Sequence, residues 1–202
     1  MLNCGMNMLH ELGSIVLDTS SLGGFTDDEF YQFCLDNKDL KFERDAESNI
    51  IVMANTGGKT GQLNAEVLIE LGVWNRIQET GICFDSSTAF KLPNGAVRSP
   101  DAAWLKLDRW VLLTEKEREQ FPPVCPDFLI EIKSPSDNLQ TLKSKMEEWV
   151  ANGCTLCWLV HPQERVTDIY YKGEVKTLPF DATLTGNDVL EGFEIKLSSI
   201  FK

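Results

Sequence analysis

Pro126-Asp127-Phe-Leu-Ile-Glu131-Ile-Lys133-Ser-Pro135, with Leu139–Ala151, Asn152-Gly153 and Thr155–Val160 behind it, decides the fold of this chain. Phe128–Ile132 is a short apolar run closed by Ser134-Pro135, the pattern of a strand. Leu139–Ala151 has helical spacing and ends at Asn152-Gly153, a helix stop. Thr155–Val160 is a second apolar strand, and Val166–Tyr171 is a third. A strand–helix–strand order sets this stretch inside an α/β sheet.

Working upstream, Pro93-Asn-Gly95 marks a turn among short strands near 82–84, 88–92 and 99–105. A long helix is predicted from about 60 to 79, with Leu63, Val67, Leu71, Trp74 and Ile77 on one face and Gly81 as its stop. Gly57-Gly-Lys-Thr60 lacks the full frame of a phosphate-binding loop, because Met53 stands where the first glycine belongs; it reads as a loop leading into that helix. Leu40–Arg44 and Ile50–Met53 form a hairpin. Thr26-Asp-Asp-Glu29 is a capping box that opens a helix near 26–37. Leu112–Gln120 reads as a short exposed helix, and Phe193–Phe201 as a terminal element of either type. The whole order fits one compact domain, a mixed α/β sheet flanked by helices.

Composition narrows the function. The 202 residues carry 19 Lys+Arg against 31 Asp+Glu, a net charge of −12. Phosphate affinity comes from lysine and arginine, so such a chain is not a general polyanion binder. The excess is uneven: residues 1–47 hold ten acids and three bases, which accounts for −7 of it. No apolar run is long enough to span a membrane, and Met1–Ser21 lacks the basic start of a signal segment. A cytoplasmic protein is expected. Six cysteines are spread through a chain large enough to bury its own core, so a disulfide scaffold is not needed. Cys154-Thr-Leu-Cys157 reads as strand, which sends its two thiols to opposite faces as buried structural residues.

The chemistry concentrates in two segments, Arg98-Ser-Pro-Asp101-Ala-Ala-Trp104 and the opening stretch. Alternation puts Asp127, Leu129, Glu131 and Lys133 on one face of the strand, with Glu131 and Lys133 about 6–7 Å apart along the backbone. Charges inside an apolar strand are costly unless paired or used. Two carboxylates can hold a divalent cation through hard oxygen ligands and leave positions open for water and phosphate. A neighbouring ammonium can orient the nucleophile and offset negative charge. By spacing alone, a strand-end ion pair of Glu131 with Lys133 or another partner accounts for the pattern. Asp127 is a second candidate for the first carboxylate, or only the residue leading into the strand.

A longer set of strings carries a resemblance: Phe25-Thr-Asp-Asp-Glu-Phe30, Glu43-Arg44, Thr56-Gly-Gly, Phe84-Asp-Ser-Ser87, Lys91-Leu-Pro-Asn-Gly95, Ser99-Pro-Asp-Ala-Ala-Trp104, Cys125-Pro-Asp-Phe128, Ser134-Pro-Ser-Asp137, Lys145-Met-Glu-Glu148 and Asn152-Gly153. With them the sequence resembles the Uma-two family of endonuclease-type proteins, the cyanobacterial type within the PD-(D/E)XK nuclease superfamily, over about residues 25 to 201. The resemblance implies a restriction-endonuclease-like fold, a mixed sheet with helices on both faces and the acids at its open edge. It implies a nuclease-like domain over 25–202, with 1–24 as an N-terminal extension that has no counterpart. It also implies Asp101 and Glu131 as metal-binding acids for magnesium or manganese, Lys133 as the catalytic lysine, Glu66 as an additional acid from the long helix, and Lys145 as a contact to the scissile phosphate. Many relatives carry arginine or an apolar residue at the Lys133 position, whereas this chain keeps lysine. Relatives usually have Asp-Pro where this chain has His161-Pro162, and His161 reads as a loop residue.

The expected function is a metal-dependent endonuclease on DNA, acting as a homodimer. The acidity predicts weak, metal-dependent DNA contact. Two other readings stand beside it: a non-catalytic binding or regulatory module on a nuclease fold, and an acidic scaffold in which Glu131 and Lys133 are a structural pair.

Overall fold

Successive residues of a strand face opposite sides of a sheet, and the two sides of the central strands here meet different helices. The computed structural model describes residues 14–19, 21 and 23–201. One sheet holds β1 (Ser14–Leu17), β2 (Lys41–Arg44), β3 (Ile50–Met53), β5 (Phe90–Lys91) and β6 (Val97–Arg98), in the order β1-β3-β2-β6-β5. A second, six-stranded sheet holds β4 (Gly81–Asp85), β7 (Ala102–Lys106), β8 (Phe128–Ile132), β9 (Leu156–His161), β10 (Val166–Tyr171) and β11 (Glu174–Pro179), in the order β11-β10-β9-β8-β7-β4. A short ribbon, β12 (Leu184–Thr185) with β13 (Glu194–Ile195), completes the strands. The helices are α1 (Asp27–Asp36), α2 (Gly58–Gln78), α3 (Leu107–Val111), α4 (Glu115–Glu119), α5 (Leu139–Ala151) and α6 (Leu197–Ile200). This is the mixed α/β sheet flanked by helices that the sequence predicts. The pairing of β8 with β9 is parallel, with α5 as the crossover, while β4–β7, β7–β8, β9–β10 and β10–β11 are antiparallel.

Ala102, Trp104, Phe128, Ile130, Trp158 and Val160 pack beneath Leu63, Val67, Leu71 and Trp74 of α2. Ala103, Leu129, Cys157 and Leu159 face Met146 and Trp149 of α5. Glu131 has the parity of the α5 side, which decides its partners. A third cluster, Phe30, Phe42, Ile50, Ala89 and Val97, joins α1 to the five-stranded sheet. Arg44, 4% exposed, ties that corner together through Asp27 and the carbonyls of Phe25 and Gly95.

The capping box of α1 forms as the sequence predicts: Thr26 accepts from the Glu29 N–H, and Glu29 accepts from the Thr26 N–H. Several other details differ. Glu79, not Gly81, ends α2, in a left-handed conformation (φ 54°) with its N–H on the Asn75 carbonyl at 2.7 Å. Gly81 begins β4 instead, where a Cβ would clash with the Trp104 indole. Ile77 is 75% exposed, because it continues the stripe of Ile69 and Val73, spaced by four on the exposed face of α2. The helix expected over Leu112–Gln120 starts only at Glu115, as α4, and a separate short helix, α3, precedes it. The terminal element is both types in turn, β13 and then α6.

His161 is not in a loop; it is the last residue of β9, 4% exposed, with Nε2 3.0 Å from Asp168 Oδ2. Cys154 precedes β9, so the alternation expected for the two cysteines fails and both thiols join Cys125 in one buried cluster. Burial pushes the Cys154 thiol well above its ordinary pKa. Of the extension expected over 1–24, residues 1–13, 20 and 22 lie outside the described residues, while β1 pairs with β3 along Ser14–Leu17. Among the described residues no helix is long and apolar enough to cross a membrane.

Candidate active site

Asp101 stands at the mouth of β7, fixed by its N–H on the Ile130 carbonyl at 3.0 Å. Its Oδ2 accepts the Ile132 N–H at 2.7 Å, and its Oδ1 accepts the Asn64 side-chain amide at 2.7 Å. β8 places Glu131 on the neighbouring strand, 5% exposed. Glu131 Oε1 takes the Trp149 indole N–H at 3.2 Å and the Lys145 ammonium at 2.8 Å. Lys145 and Trp149 are four apart on α5, so one helix face supplies both donors. The acids thus lie at the ends of interior strands, not at the lateral edge of the sheet, because β7 and β8 are each flanked on both sides.

The five-stranded sheet contributes a third acid that local spacing does not reveal. Glu43 of β2 is 2% exposed. Its Oε1 accepts from Lys145 at 2.9 Å and from the Ser99 N–H at 3.0 Å, and its Oε2 from Arg98 at 3.2 Å. The Lys145 ammonium also donates to the Ser99 carbonyl at 3.0 Å, so its three protons have three acceptors. Arg98 continues the chain to Glu148 at 2.6 Å. Glu43, Asp101, Glu131, Arg98 and Lys145 all line one cleft of about 810 Å³. Its lining also includes Lys41, Lys59, Gly57 and Gly58. The glycines start α2 with no side-chain cap on its N–H groups.

The electrostatics divide the acids. Burial alone would raise Glu43, but Lys145 and Arg98 outweigh it and hold the carboxyl down at about 2. Burial pushes Glu131 up to about 7; Lys145 opposes this, while Asp101 and Glu43 add to it. Burial likewise raises Asp101, only partly offset by the Ile132 N–H. Both side-chain hydrogen bonds of Asp101 come from neutral donors. Among the described residues, the carboxylates of Glu43, Asp101, Glu131 and Glu148 share two directly paired cations, Arg98 and Lys145. One divalent ion would cancel that deficit.

The donor set fits such an ion. Among the described residues no group of three or more His, Cys, Asp or Glu side chains is arranged to hold a metal. Two adjacent carboxylates suit magnesium, which is usually held by one or two acids and completes its shell with water and phosphate. A second observation concerns Asn64: its Oδ1 is buried without a hydrogen-bond partner. Such an acceptor costs about 1–3 kcal/mol when left unmade.

The remaining predicted residues fall elsewhere. Lys133 lies one residue beyond β8, its N–H on the Val160 carbonyl, and does not line the cleft. Its backbone continues the ladder to β9, but Lys133 makes no ion pair among the described residues. The ion pair of Glu131 is with another partner than Lys133, namely Lys145. Glu66 on α2 is half-buried and off the cleft; from that helix it is Asn64 that reaches Asp101. Asp127, at the far end of β8, accepts the Lys106 N–H at 2.9 Å and pairs with Arg109 at 2.8 Å, a role in structure. The signal that could have found Glu43 is a lone acid beside an apolar residue in a hairpin strand, Phe42-Glu43-Arg44.

Comparison with known proteins agrees with this architecture. A solved structure described as a "putative nuclease belonging to DUF820 from Anabaena variabilis ATCC 29413" superposes with a TM-score of 0.70 at 19% identity, over 88% of this chain and 97% of the other. At that identity the likeness speaks for the fold. A search of curated proteins gives no match. The Uma2 family, described as "Putative restriction endonuclease", matches residues 27–198. With most of its length inside that match, the chain belongs to the Uma2 family.

Proposed function

We propose that this protein is a metal-dependent endonuclease that hydrolyses DNA phosphodiester bonds in the cleft between its two sheets. The observation that carries this is geometric: Asp101 and Glu131 meet at one open cleft, where the carboxylates of Glu43, Asp101, Glu131 and Glu148 have only Arg98 and Lys145 as directly paired cations among the described residues. Asp101 and Glu131 would hold magnesium or manganese, which when bound would polarise the phosphate and acidify water. The chain's own residues do the rest. Trp149 and Asn64 orient the two acids. Lys145, rather than Lys133, is the ammonium beside Glu131 and can offset charge on the phosphate or orient the attacking water. Lys41, Lys59 and the uncapped N-terminus of α2 lie along the cleft where a phosphate backbone would pass. A homodimer would bring two clefts to one duplex. The exposed Ile69, Val73 and Ile77, spaced by four on α2, support such a contact.

The test uses purified protein, plasmid and branched DNA, and magnesium or manganese. Cutting is expected for the natural chain, and Glu131→Gln and Asp101→Asn should reduce it about a hundredfold or more with the melting temperature nearly kept. Absence of cutting on all substrates, or cutting unchanged in both variants, refutes the reading. One observation favours a non-catalytic binding module instead: all three Lys145 protons are already taken by protein acceptors. That reading gains if divalent ions bind but no substrate is cut.

A further inference from the structure

Asp101 is held on both oxygens by neutral groups, and one of them, Asn64, carries an unmet need of its own. The amide cannot be turned round, since Asp101 in its ionised form only accepts, so Nδ2 must face it and Oδ1 must face away. The 2.7 Å bond therefore fixes the carboxylate while leaving its charge intact. A lysine or arginine there would orient Asp101 equally well and cancel the charge that attracts a cation. A purely structural position would favour a residue with no polar atom left over. Asn64 instead leaves a buried carbonyl oxygen without a donor, one amide group away from the Asp101 carboxylate.

Building on the metal-dependent reading above, we infer that Asn64 is a positioning residue for the cation held by Asp101 and Glu131. Its N–H sets the direction of the Asp101 carboxylate, and its carbonyl oxygen takes a hydrogen bond from water that arrives with the ion. The residue type matters on both counts: asparagine is the smallest side chain with a neutral donor and an acceptor on separate atoms of one planar group.

Calorimetry with manganese, on full-length protein without DNA, tests this together with the melting temperature in EDTA and in saturating manganese. Asn64→Leu removes both roles at similar volume. It should weaken manganese binding about tenfold or more, as expected when a group supporting a metal ligand is lost. If Asn64 supports the bound ion, the melting loss of Asn64→Leu should be larger in saturating manganese than in EDTA; a purely structural asparagine predicts the same loss in both. Unchanged affinity in Asn64→Leu, or an equal melting loss in EDTA and in manganese, overturns the inference while the metal site stands. If the natural chain itself binds no manganese, the metal site falls and this inference with it. Should Asn64→Leu not fold, Asn64→Ala makes the same comparison.

Discussion

The two ends of β8 carry the same kind of residue and treat it differently. At one end buried Asp127 meets the Lys106 N–H and a single arginine, a charge matched one for one. At the other, Glu131 shares one lysine with Glu43 and sits beside Asp101, whose hydrogen-bond partners are neutral. An acid inside a strand can thus be satisfied or left wanting, depending on how many cations the adjoining elements bring. The first arrangement holds a fold together. The second leaves more buried acid than paired cation among the described residues.

The contrast can be broken most strongly at Lys145. Lys145→Met leaves Glu43 and Glu131 buried without their shared cation, and should destabilise the fold by about 3–5 kcal/mol in denaturant melts. Added manganese should recover part of that loss if the cluster is a cation site. At the other end, Asp127→Ala strips a buried N–H and Arg109 of their acceptor. It should cost about 1–3 kcal/mol and leave DNA cutting unaltered in the folded fraction.

Acid and base should act on the cluster with opposite signs in EDTA-treated protein. The Glu43 carboxyl titrates near 2 in the fold against an ordinary 4.5, so its contribution is whole above about 4.5 and fades as pH falls towards 2. The Glu131 carboxyl titrates near 7 against the same ordinary value, so its protonated form favours the fold below about 4.5 and that benefit is lost as pH rises through 7. Glu131→Gln should therefore flatten the neutral side of the stability profile and spare the acid side. A profile unchanged by that substitution would separate the raised carboxyl from the fold's pH response. The smallest effect belongs to Arg109→Met. Its guanidinium is about a third exposed, and its loss should cost under about 1 kcal/mol in the same melts.

The elements are legible wherever one periodicity runs unbroken. Phe128–Ile132 and Leu139–Ala151 have the bounds the sequence suggests, since turn residues close both. Reading fails where a period leaves the partner open. Alternation offers Lys133 as the partner of Glu131, but the ammonium comes from Lys145 on α5. Helical spacing groups Ile77 with Trp74, but it belongs to the exposed stripe of Ile69 and Val73. Asp101, Glu131 and Lys145 are visible as members of one site, but the ion pair of Lys145 with Glu131 is not. Glu43 and Asn64 are hidden for different reasons. Glu43 arrives from another sheet, a relation that no local spacing encodes. Asn64 is neutral, and a search for acids and bases passes over it in favour of Glu66.

The charge cluster is also closed late in synthesis. Glu43 and Lys145 are 102 residues apart in the chain, and the helix that carries the lysine follows all three acids in the sequence. A nascent chain that has emerged only as far as β8 exposes Glu43, Asp101 and Glu131 with no Lys145 to reconcile them. Contacts of such long separation are slow to form. Arg98 is already present to meet Glu43, but Glu131 has no cation until α5 follows, so the last charge of the cleft is matched only by the helix that comes after all three acids.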